Sequence, residues 1–219
     1  MKIGKFQIGA VLAIICIAIL ASSLFLPWWT IERREKSPTM YPSVYVNSTH
    51  EFRLLSISSY NKDTTLGVSN ERRWDTSYAD IQNSGLDTHF LVMLALVTTA
   101  MILILLSLVL YHLSRSRQRL RMIALVVGFA VIFLVLGSAA YLHAKVPPAV
   151  GDSRVGLGSA LDTILPNIQT FADTDLNETP TMSVTTTWGP SIGWHIAFVV
   201  CVIMLFSIWF MESRPKEED

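Results

Sequence analysis

Charged residues are missing from four long stretches of this sequence. The stretches run from Ile8 to Leu26, Phe90 to Tyr111, Met122 to Leu142 and Ile192 to Met211, and none contains Asp, Glu, Lys or Arg. At about 1.5 Å per helical residue, each can cross the roughly 30 Å hydrocarbon core of a bilayer. We therefore predict four transmembrane helices. Ionisable residues inside such helices usually mark ion or proton pathways, so their absence argues against a proton-coupled transporter or a voltage sensor.

Cysteine is also scarce. The two cysteines, Cys16 and Cys201, both fall inside the apolar stretches, so the polar segments contain none that could form a disulfide. We interpret both as small packing residues, because hydrocarbon suppresses the reactive thiolate form.

Familiar catalytic motifs are missing as well. The chain has no G-x-S-x-G, H-E-x-x-H, P-loop or C-x-x-C pattern. We therefore predict that the protein is not an enzyme, and we expect no cofactor and no small-molecule substrate.

Positive charge is concentrated in the short connection 112–121. Four arginines lie within seven residues there: Arg115, Arg117, Arg119 and Arg121. Short loops rich in Lys and Arg remain in the cytoplasm, and Lys2 and Lys5 before the first apolar stretch agree with this orientation. We predict a multi-pass protein of the cell membrane with both termini in the cytoplasm. A cleaved signal peptide is the alternative interpretation of the first stretch.

The same four arginines are predicted to bind anionic lipid headgroups, at about 1 kcal/mol per basic residue near the surface. Nucleic-acid binding is not expected, because the basic segment is short and has no interleaved aromatic residues.

These signals divide the chain into nine segments. They are a cytoplasmic N-terminus (1–7), transmembrane helix 1 (8–26), extracellular loop 1 (27–89), transmembrane helix 2 (90–111), the basic cytoplasmic loop (112–121), transmembrane helix 3 (122–142), extracellular loop 2 (143–191), transmembrane helix 4 (192–211) and a cytoplasmic tail (212–219).

Both extracellular loops carry strand-like patterns. Alternation in Val44–Val46, in Leu55–Ser58 and in 181–188 predicts β-strands, whereas Asn61-Lys62-Asp63 and Leu66-Gly67 resemble turns. The second loop begins at Pro147-Pro148 in a segment that we expect to be irregular. Since a lone hairpin is marginally stable, we predict that strands of both loops form one sheet. The predicted fold is an all-α membrane protein, a four-helix bundle with a small extracellular antiparallel β-sheet.

Tryptophan occurs where helices should meet the membrane surface. Its ring is apolar while its indole N–H favours water, so it concentrates at the headgroup level. The predicted interface anchors are Trp28, Trp29, Trp188, Trp194 and Trp209.

Three histidines fall at the outer ends of predicted helices: His89, His143 and His195. Because the three histidines would lie at a similar depth in the membrane, a metal site or a bis-histidine haem site is geometrically conceivable. No two of them lie four residues apart and none belongs to a ligand motif, so we expect ordinary interfacial residues and no metal.

Two N-glycosylation sequons, at Asn47 and Asn177, lie in the predicted extracellular loops.

The overall plan resembles the claudin-like tetraspan superfamily. Trp28-Trp29 begins the first extracellular segment where those proteins carry a Trp, and Ser191-Ile192-Gly193-Trp194 is similar to the Gly-Trp entry of their fourth helix. The combination of Pro27-Trp28-Trp29 with Trp188-Gly189-Pro190 and Gly193-Trp194 also resembles prokaryotic tetraspan proteins of unassigned function. The claudin signature pairs these elements with two loop cysteines, which this chain lacks, so tight-junction sealing and paracellular selectivity do not carry over.

Three functional hypotheses follow. The first is a non-enzymatic membrane protein whose sheet contacts another protein, a cell-envelope component or another copy of itself through Arg53–Tyr60 or 181–188. The second is an accessory subunit of a larger membrane transport or respiratory complex. The third is a cofactor-bearing protein that uses the outer histidines.

Overall fold

The protein is represented by a computed structural model that describes residues 5–37, 44–65, 67–78, 85–114, 117–152, 170–179 and 181–213. Its elements, in chain order, are α1 (Lys5–Ser23), β1 (Trp29–Ser37), β2 (Val44–Phe52), β3 (Ile57–Thr65), β4 (Val68–Thr76), α2 (Leu86–Leu113), α3 (Gln118–Asp152), β5 (Asp173–Thr179), β6 (Met182–Pro190) and α4 (Ile192–Glu212). They divide into two compact units. The helical unit covers Met1–Leu24, Met93–Ala140 and His195–Asp219, and the sheet unit covers Phe25–Val92 and Tyr141–Trp194.

Within the described residues, four helices are long and apolar enough to cross a membrane: Lys5–Ser23, Leu86–Leu113, Gln118–Val150 and Ile192–Glu212. Much of their apolar surface faces outward, as lipid contact requires. Phe133 of α3 is 73% exposed and Ile102 of α2 is 64% exposed. These features are consistent with a multi-pass membrane protein.

Small residues allow the backbones to approach closely in the helical unit. Gly9 of α1 lies against α4, where the Ser207 hydroxyl donates a 2.7 Å hydrogen bond to the Gly9 carbonyl. Gly128 of α3 lies against the Ile208 side chain of α4. The Ser107 hydroxyl of α2 donates to the Ala124 carbonyl of α3 at 3.2 Å. Close packing and interhelical hydrogen bonds of this kind replace the hydrophobic driving force that lipid removes.

In the described residues of the sheet unit, the strands form one antiparallel sheet with the order β4-β3-β2-β1-β6-β5. The segment between α1 and α2 supplies β1 to β4, and the segment between α3 and α4 supplies β5 and β6. The two segments join where β1 pairs with β6, from Trp29 opposite Pro190 to Lys36 opposite Ser183.

The prediction of an all-α protein with a small sheet is wrong. The sheet has six strands of seven to nine residues each, which makes it a major part of the fold. Hydrophobic alternation was present in β2 and β6, but β1, β4 and β5 are rich in charged and polar residues. Their strand structure depends on main-chain pairing with neighbours, which a search for apolar periodicity does not detect.

The predicted turn at Asn61-Lys62-Asp63 is also wrong. These residues lie inside β3, where they pair with β2 in an uninterrupted register from Val44 opposite Thr65 to Phe52 opposite Ile57. The chain reverses afterwards, next to Gly67, whose φ of +77° is a conformation that glycine adopts without strain.

The third helix extends ten residues beyond its predicted end at residue 142 and includes Pro147 and Pro148. The predicted irregular structure at these prolines is therefore wrong. A proline ring holds φ near the helical value, but it removes one hydrogen bond and crowds the carbonyl four residues earlier. Here both prolines fall within the last six residues of a 35-residue helix, so these costs are confined to its end. Two prolines near the end of a long helix can thus be accommodated.

Candidate binding surface on the sheet

The strand registers sort the sheet residues onto two faces. Side chains alternate along each strand, so residues paired across strands share a face. One face contains Trp29, Phe52 and Ile57, and we call it the Trp29 face. The opposite face contains Tyr45, Lys36 and Thr64, and we call it the Tyr45 face.

The Trp29 face is buried where it meets the helix ends of the sheet unit. Trp29, Phe52 and Ile57 have no exposed surface. The Phe52 ring packs against Phe90 of α2 with centroids 6.3 Å apart, and Tyr78 stacks on the same Phe90 ring at 4.3 Å. This aromatic cluster gives the sheet a hydrophobic core within its own unit.

A buried histidine lies one row further along the Trp29 face. His50 is 1% exposed, and its Nδ1 lies 2.9 Å from the Ser59 hydroxyl of the neighbouring strand. Its Nε2 is buried without a hydrogen-bond partner among the described residues. Desolvation by burial lowers the pKa of His50 from its usual 6.5 to about 4. The ring is therefore neutral at physiological pH.

The Tyr45 face carries an open cavity of about 460 Å³. The lining residues come from the four central strands β3, β2, β1 and β6: Arg34, Glu35, Lys36, Tyr45, Val46, Asn47, Lys62, Thr64, Ser183 and Thr185. Eight of these ten belong to the Tyr45 face. We call this depression the Tyr45 cavity.

Three cations, Arg34, Lys36 and Lys62, line the Tyr45 cavity. The Lys36 Nζ lies 5.9 Å from the centroid of the Tyr45 ring, which is within range of a cation–π contact. The Nη2 atom of Arg34 lies 3.4 Å from Oε2 of Glu32, and both side chains are largely exposed, so this ion pair is weak. Neither cation is held in a tight, buried ion pair. Both are therefore available to an incoming anion.

The third cation, Lys62, is more firmly engaged. Its Nζ lies 2.7 Å from Glu71 Oε1 on β4. The hydrogen bond between them lowers the pKa of the Glu71 carboxyl and raises the pKa of the Lys62 ammonium. The pair places a carboxylate at the β4 side of the cavity.

A smaller depression of about 220 Å³ continues the Tyr45 face towards the other end of the strands. It is lined by Thr49, Glu51, Ser58, Tyr60 and Arg73. Polar and charged side chains therefore cover this face over much of its length, in an arrangement suited to hydrogen bonding with a polar ligand or chain.

The histidines highlighted in the sequence are separated into different environments. His89 Nδ1 lies 2.9 Å from the Tyr141 hydroxyl, and the exposed His143 ring packs on Phe171 at 4.5 Å. His195 belongs to the helical unit. In the described part of the chain, no three His, Cys, Asp or Glu side chains form a group that could hold a metal ion.

The tryptophans differ sharply in exposure. Trp28 and Trp29 have no exposed surface, and Trp188 is 6% exposed, so these three pack inside the protein. The indoles of Trp29 and Trp188 donate 3.0 Å hydrogen bonds to the carbonyls of Phe171 and Thr170. Trp194 is half-buried and packs against the Phe171 ring, whereas Trp209 is 60% exposed and remains available to a membrane surface.

The arginines of the 112–121 connection have different surroundings. Arg115 lies outside the described residues, and Arg117 and Arg119 are exposed. Arg121 forms an ion pair with Glu212 of α4, in which its Nε and Nη2 lie 2.8 and 2.7 Å from the same oxygen, Oε2. Part of this basic cluster therefore ties α3 to α4 within the helical unit.

The two sequon asparagines occupy contrasting positions. Asn47 lines the Tyr45 cavity and its Oδ1 is buried with no partner in the described part of the chain, whereas Asn177 is exposed on β5.

The cavity residues Lys36, Tyr45, Lys62 and Thr64 were not identified from the sequence as a site. Alternation at Val44–Val46 indicated a strand, but only the pairing of four strands brings these side chains together. Comparison of the chain with protein-family models and with curated proteins found no match. The resemblance to claudin-like tetraspan proteins therefore stays a prediction.

Proposed function

We propose that this protein is a non-enzymatic, multi-pass protein of the cell membrane that presents its β-sheet outside the cytoplasm to bind a partner. The partner is a protein or cell-envelope component with a negatively charged segment, and it binds on the Tyr45 face.

The observation that carries this proposal is the Tyr45 cavity. A polar depression across four adjacent strands offers hydroxyl, amide and cationic groups to one ligand. Its shape is open rather than enclosed, which suits an extended chain better than a small molecule buried on all sides. The aromatic ring of Tyr45, 45% exposed, adds an amphipathic contact surface of the kind enriched at protein interfaces.

Charge favours an acidic partner. Arg34, Lys36 and Lys62 line the cavity, and Glu35 is the only carboxylate among the described residues that line it. Lys36 gains more from a charged ligand than from its present cation–π contact with Tyr45, and the exposed Arg34–Glu32 pair, at 3.4 Å, is too weak to withhold Arg34 from such a ligand.

The orientation follows from the distribution of basic residues. The short 112–121 connection carries four arginines and is predicted to remain in the cytoplasm, which puts both termini there and both strand-bearing segments outside. Cysteine variants test this directly on intact cells. Thr187→Cys, at an exposed position of β6, should react with a membrane-impermeant maleimide, and Arg117→Cys should be protected. The opposite labelling pattern would overturn the orientation.

Partner binding is tested by placing a photo-crosslinking amino acid at Tyr45 in the full chain and irradiating intact cells. Leu55 provides the control site, since it is 49% exposed but lies outside the cavity lining. We expect a discrete adduct from position 45 and none from position 55. Lys36→Glu should abolish the adduct because it reverses the charge of the cavity wall. Equal labelling at both sites, or an adduct that is insensitive to Lys36→Glu, would refute recognition by the Tyr45 face.

Mass spectrometry of the adduct separates the functional hypotheses. A protein or envelope polymer captured at position 45 supports the proposal. Stoichiometric capture of one transport or respiratory enzyme would instead favour the accessory-subunit hypothesis.

A further inference from the structure

The sheet has two open edges in the described part of the chain. The strand order places β4 at one edge and β5 at the other. All seven residues of β5 are exposed, and seven of the nine residues of β4 are exposed. An edge strand presents unpaired N–H and C=O groups and so can pair with a strand of another molecule.

The two edges have complementary charge. β5 contains Asp173, Asp175 and Glu178 and no basic residue. β4 contains Arg72 and Arg73, which have no ion-pair partner among the described residues. Of the two β4 carboxylates, Glu71 is paired with Lys62, and Asp75 lies on the opposite face of the strand from Arg72. Arg72 is therefore the cation on this edge that can face the acidic β5 edge of another copy.

Strand direction allows these two edges to meet in one membrane. The row containing Trp29, Phe52 and Pro190 lies next to the helix ends of the sheet unit. β4 runs towards this row and β5 runs away from it. Copies inserted with the same orientation would thus bring β4 of one copy antiparallel to β5 of the next. Two β4 strands, or two β5 strands, would instead run parallel and place like charges together.

The strand registers also place Arg72 and Asp175, which carry opposite charges, at the same level on the two edges of the sheet. One row of paired residues crosses the whole sheet in the order Arg72, Asn61, Ser48, Arg33, Thr186 and Asp175. Two copies at equal depth would continue this row from one sheet to the next. Asp175 would then lie opposite Arg72 of the next copy, with Asp173 diagonally adjacent on the same face. Residues 173–179 would pair along their full length with residues 68–74.

We propose that copies of this protein assemble side by side in one membrane by pairing β5 of each copy with β4 of the next, through an ion pair between Asp175 and Arg72. The contact joins two different surfaces, so it propagates into a row or closes into a ring rather than stopping at a dimer. It rests on the membrane anchoring in the proposed function and does not depend on what the Tyr45 cavity binds. The alternative segments for self-association, Arg53–Tyr60 and 181–188, lie largely in strands that are paired on both sides.

Engineered cysteines distinguish this head-to-tail arrangement from a two-fold dimer that pairs two identical edges. The full chain is expressed in its native membrane, oxidised with copper phenanthroline and separated on non-reducing gels. Facing residues of an antiparallel pair have Cα atoms about 4.5–5.5 Å apart, within the range of a disulfide. The cysteines replace Asn70 and Asn177, which would face each other in this register on the same face as the ion pair, so the ion pair itself is kept. Asn70→Cys alone and Asn177→Cys alone should remain monomeric. The two variants co-expressed should give a dimer, and both substitutions in one chain should give a ladder of multimers.

The matched control is Leu176→Cys combined with Asn70→Cys. Leu176 is an exposed neighbour of Asn177 on the other face of β5, so its thiol would point away from position 70 and no ladder should form. A dimer from either single variant, a ladder from the control pair, or only monomer from the Asn70/Asn177 pair would each overturn the proposal.

Charge reversal gives an independent readout by native gel electrophoresis. Asp175→Arg and Arg72→Asp should each disperse the assemblies, and the two together should restore them, because the swapped pair recreates the attraction. Failure of the double variant to recover while its monomer stays folded would contradict the ion pair. The photo-crosslink at Tyr45 is scored in the same variants, so loss of the cavity partner and loss of edge pairing are seen separately.

Discussion

Gly193 is predicted to be a position where one methyl group destabilises the sheet unit. It is the second residue of α4, and a Cβ there would lie 2.6 Å from Trp28 Cδ1, 2.8 Å from Nε1 and 2.9 Å from Cγ. Carbon atoms in favourable contact are about 3.5–4.0 Å apart. Relief would require the indole or the helix to move.

The surrounding structure resists that movement. Trp28 has no exposed surface. The Gly193 amide donates a 2.8 Å hydrogen bond to the Pro27 carbonyl, and the Ser191 amide donates to the Trp28 carbonyl at 3.0 Å. Overpacking in such a setting costs about 1–3 kcal/mol. The better helix propensity of alanine offsets under about 1 kcal/mol of this. We expect Gly193→Ala to lower the Tm by several degrees, at about 2–4 °C per kcal/mol.

Gly137→Ala is the matched control, because a Cβ at Gly137 meets nothing within 4 Å. It should leave stability unchanged or raise it by up to about 1 kcal/mol. The assay is thermal unfolding of the purified full chain in detergent, followed by tryptophan fluorescence. Trp28→Phe combined with Gly193→Ala should cost less than the sum of the single changes, since the smaller ring leaves room for the methyl group. Equal melting of Gly193→Ala and Gly137→Ala, or strict additivity, would refute the close contact.

Two further predictions concern buried and interhelical polar groups. Burial lowers the pKa of His50 to about 4, so the free energy of unfolding should fall by about 3 kcal/mol as the pH drops from 6.5 to 4, because the unfolded chain takes up the proton first. His50→Gln should remove that part of the dependence in equilibrium unfolding between pH 4 and 7, and an unchanged slope would contradict the burial of a neutral ring. Glu212→Gln should weaken its partly exposed contact with Arg121 by no more than about 1 kcal/mol. The loss should shrink at high salt in detergent melts, and a salt-independent loss would show that the contribution is not electrostatic.

The four apolar helices could be predicted from the sequence because lipid contact imposes a simple requirement. About twenty consecutive uncharged residues are needed, and the chain shows this pattern four times. The helix ends were less predictable. α2 begins at Leu86, before its apolar run, and so includes the charged Asp87. α3 continues past its apolar run through Pro147 and Pro148. Neighbouring structure can accommodate a charge or a proline at such helix ends.

The sheet could be predicted only where a strand keeps alternation on a half-buried surface. β2 and β6 show this pattern. The sequence of β1 is rich in charged residues and does not indicate a half-buried strand, yet Arg33 within it is only 4% exposed. β4 and β5 lie at the edges and have little apolar surface to reveal them.

Composition alone therefore determined that this chain carries four lipid-compatible helices, since hydrocarbon selects against charge residue by residue. Only the tertiary structure decided that the polar segments build a six-stranded sheet in the described part of the chain, with Arg34, Lys36 and Lys62 around one cavity and the acidic β5 at one edge. Those features arise from hydrogen-bond register between segments as distant as β1 and β6. A shift of one residue in that register would move every side chain to the other face, so no local pattern can specify them.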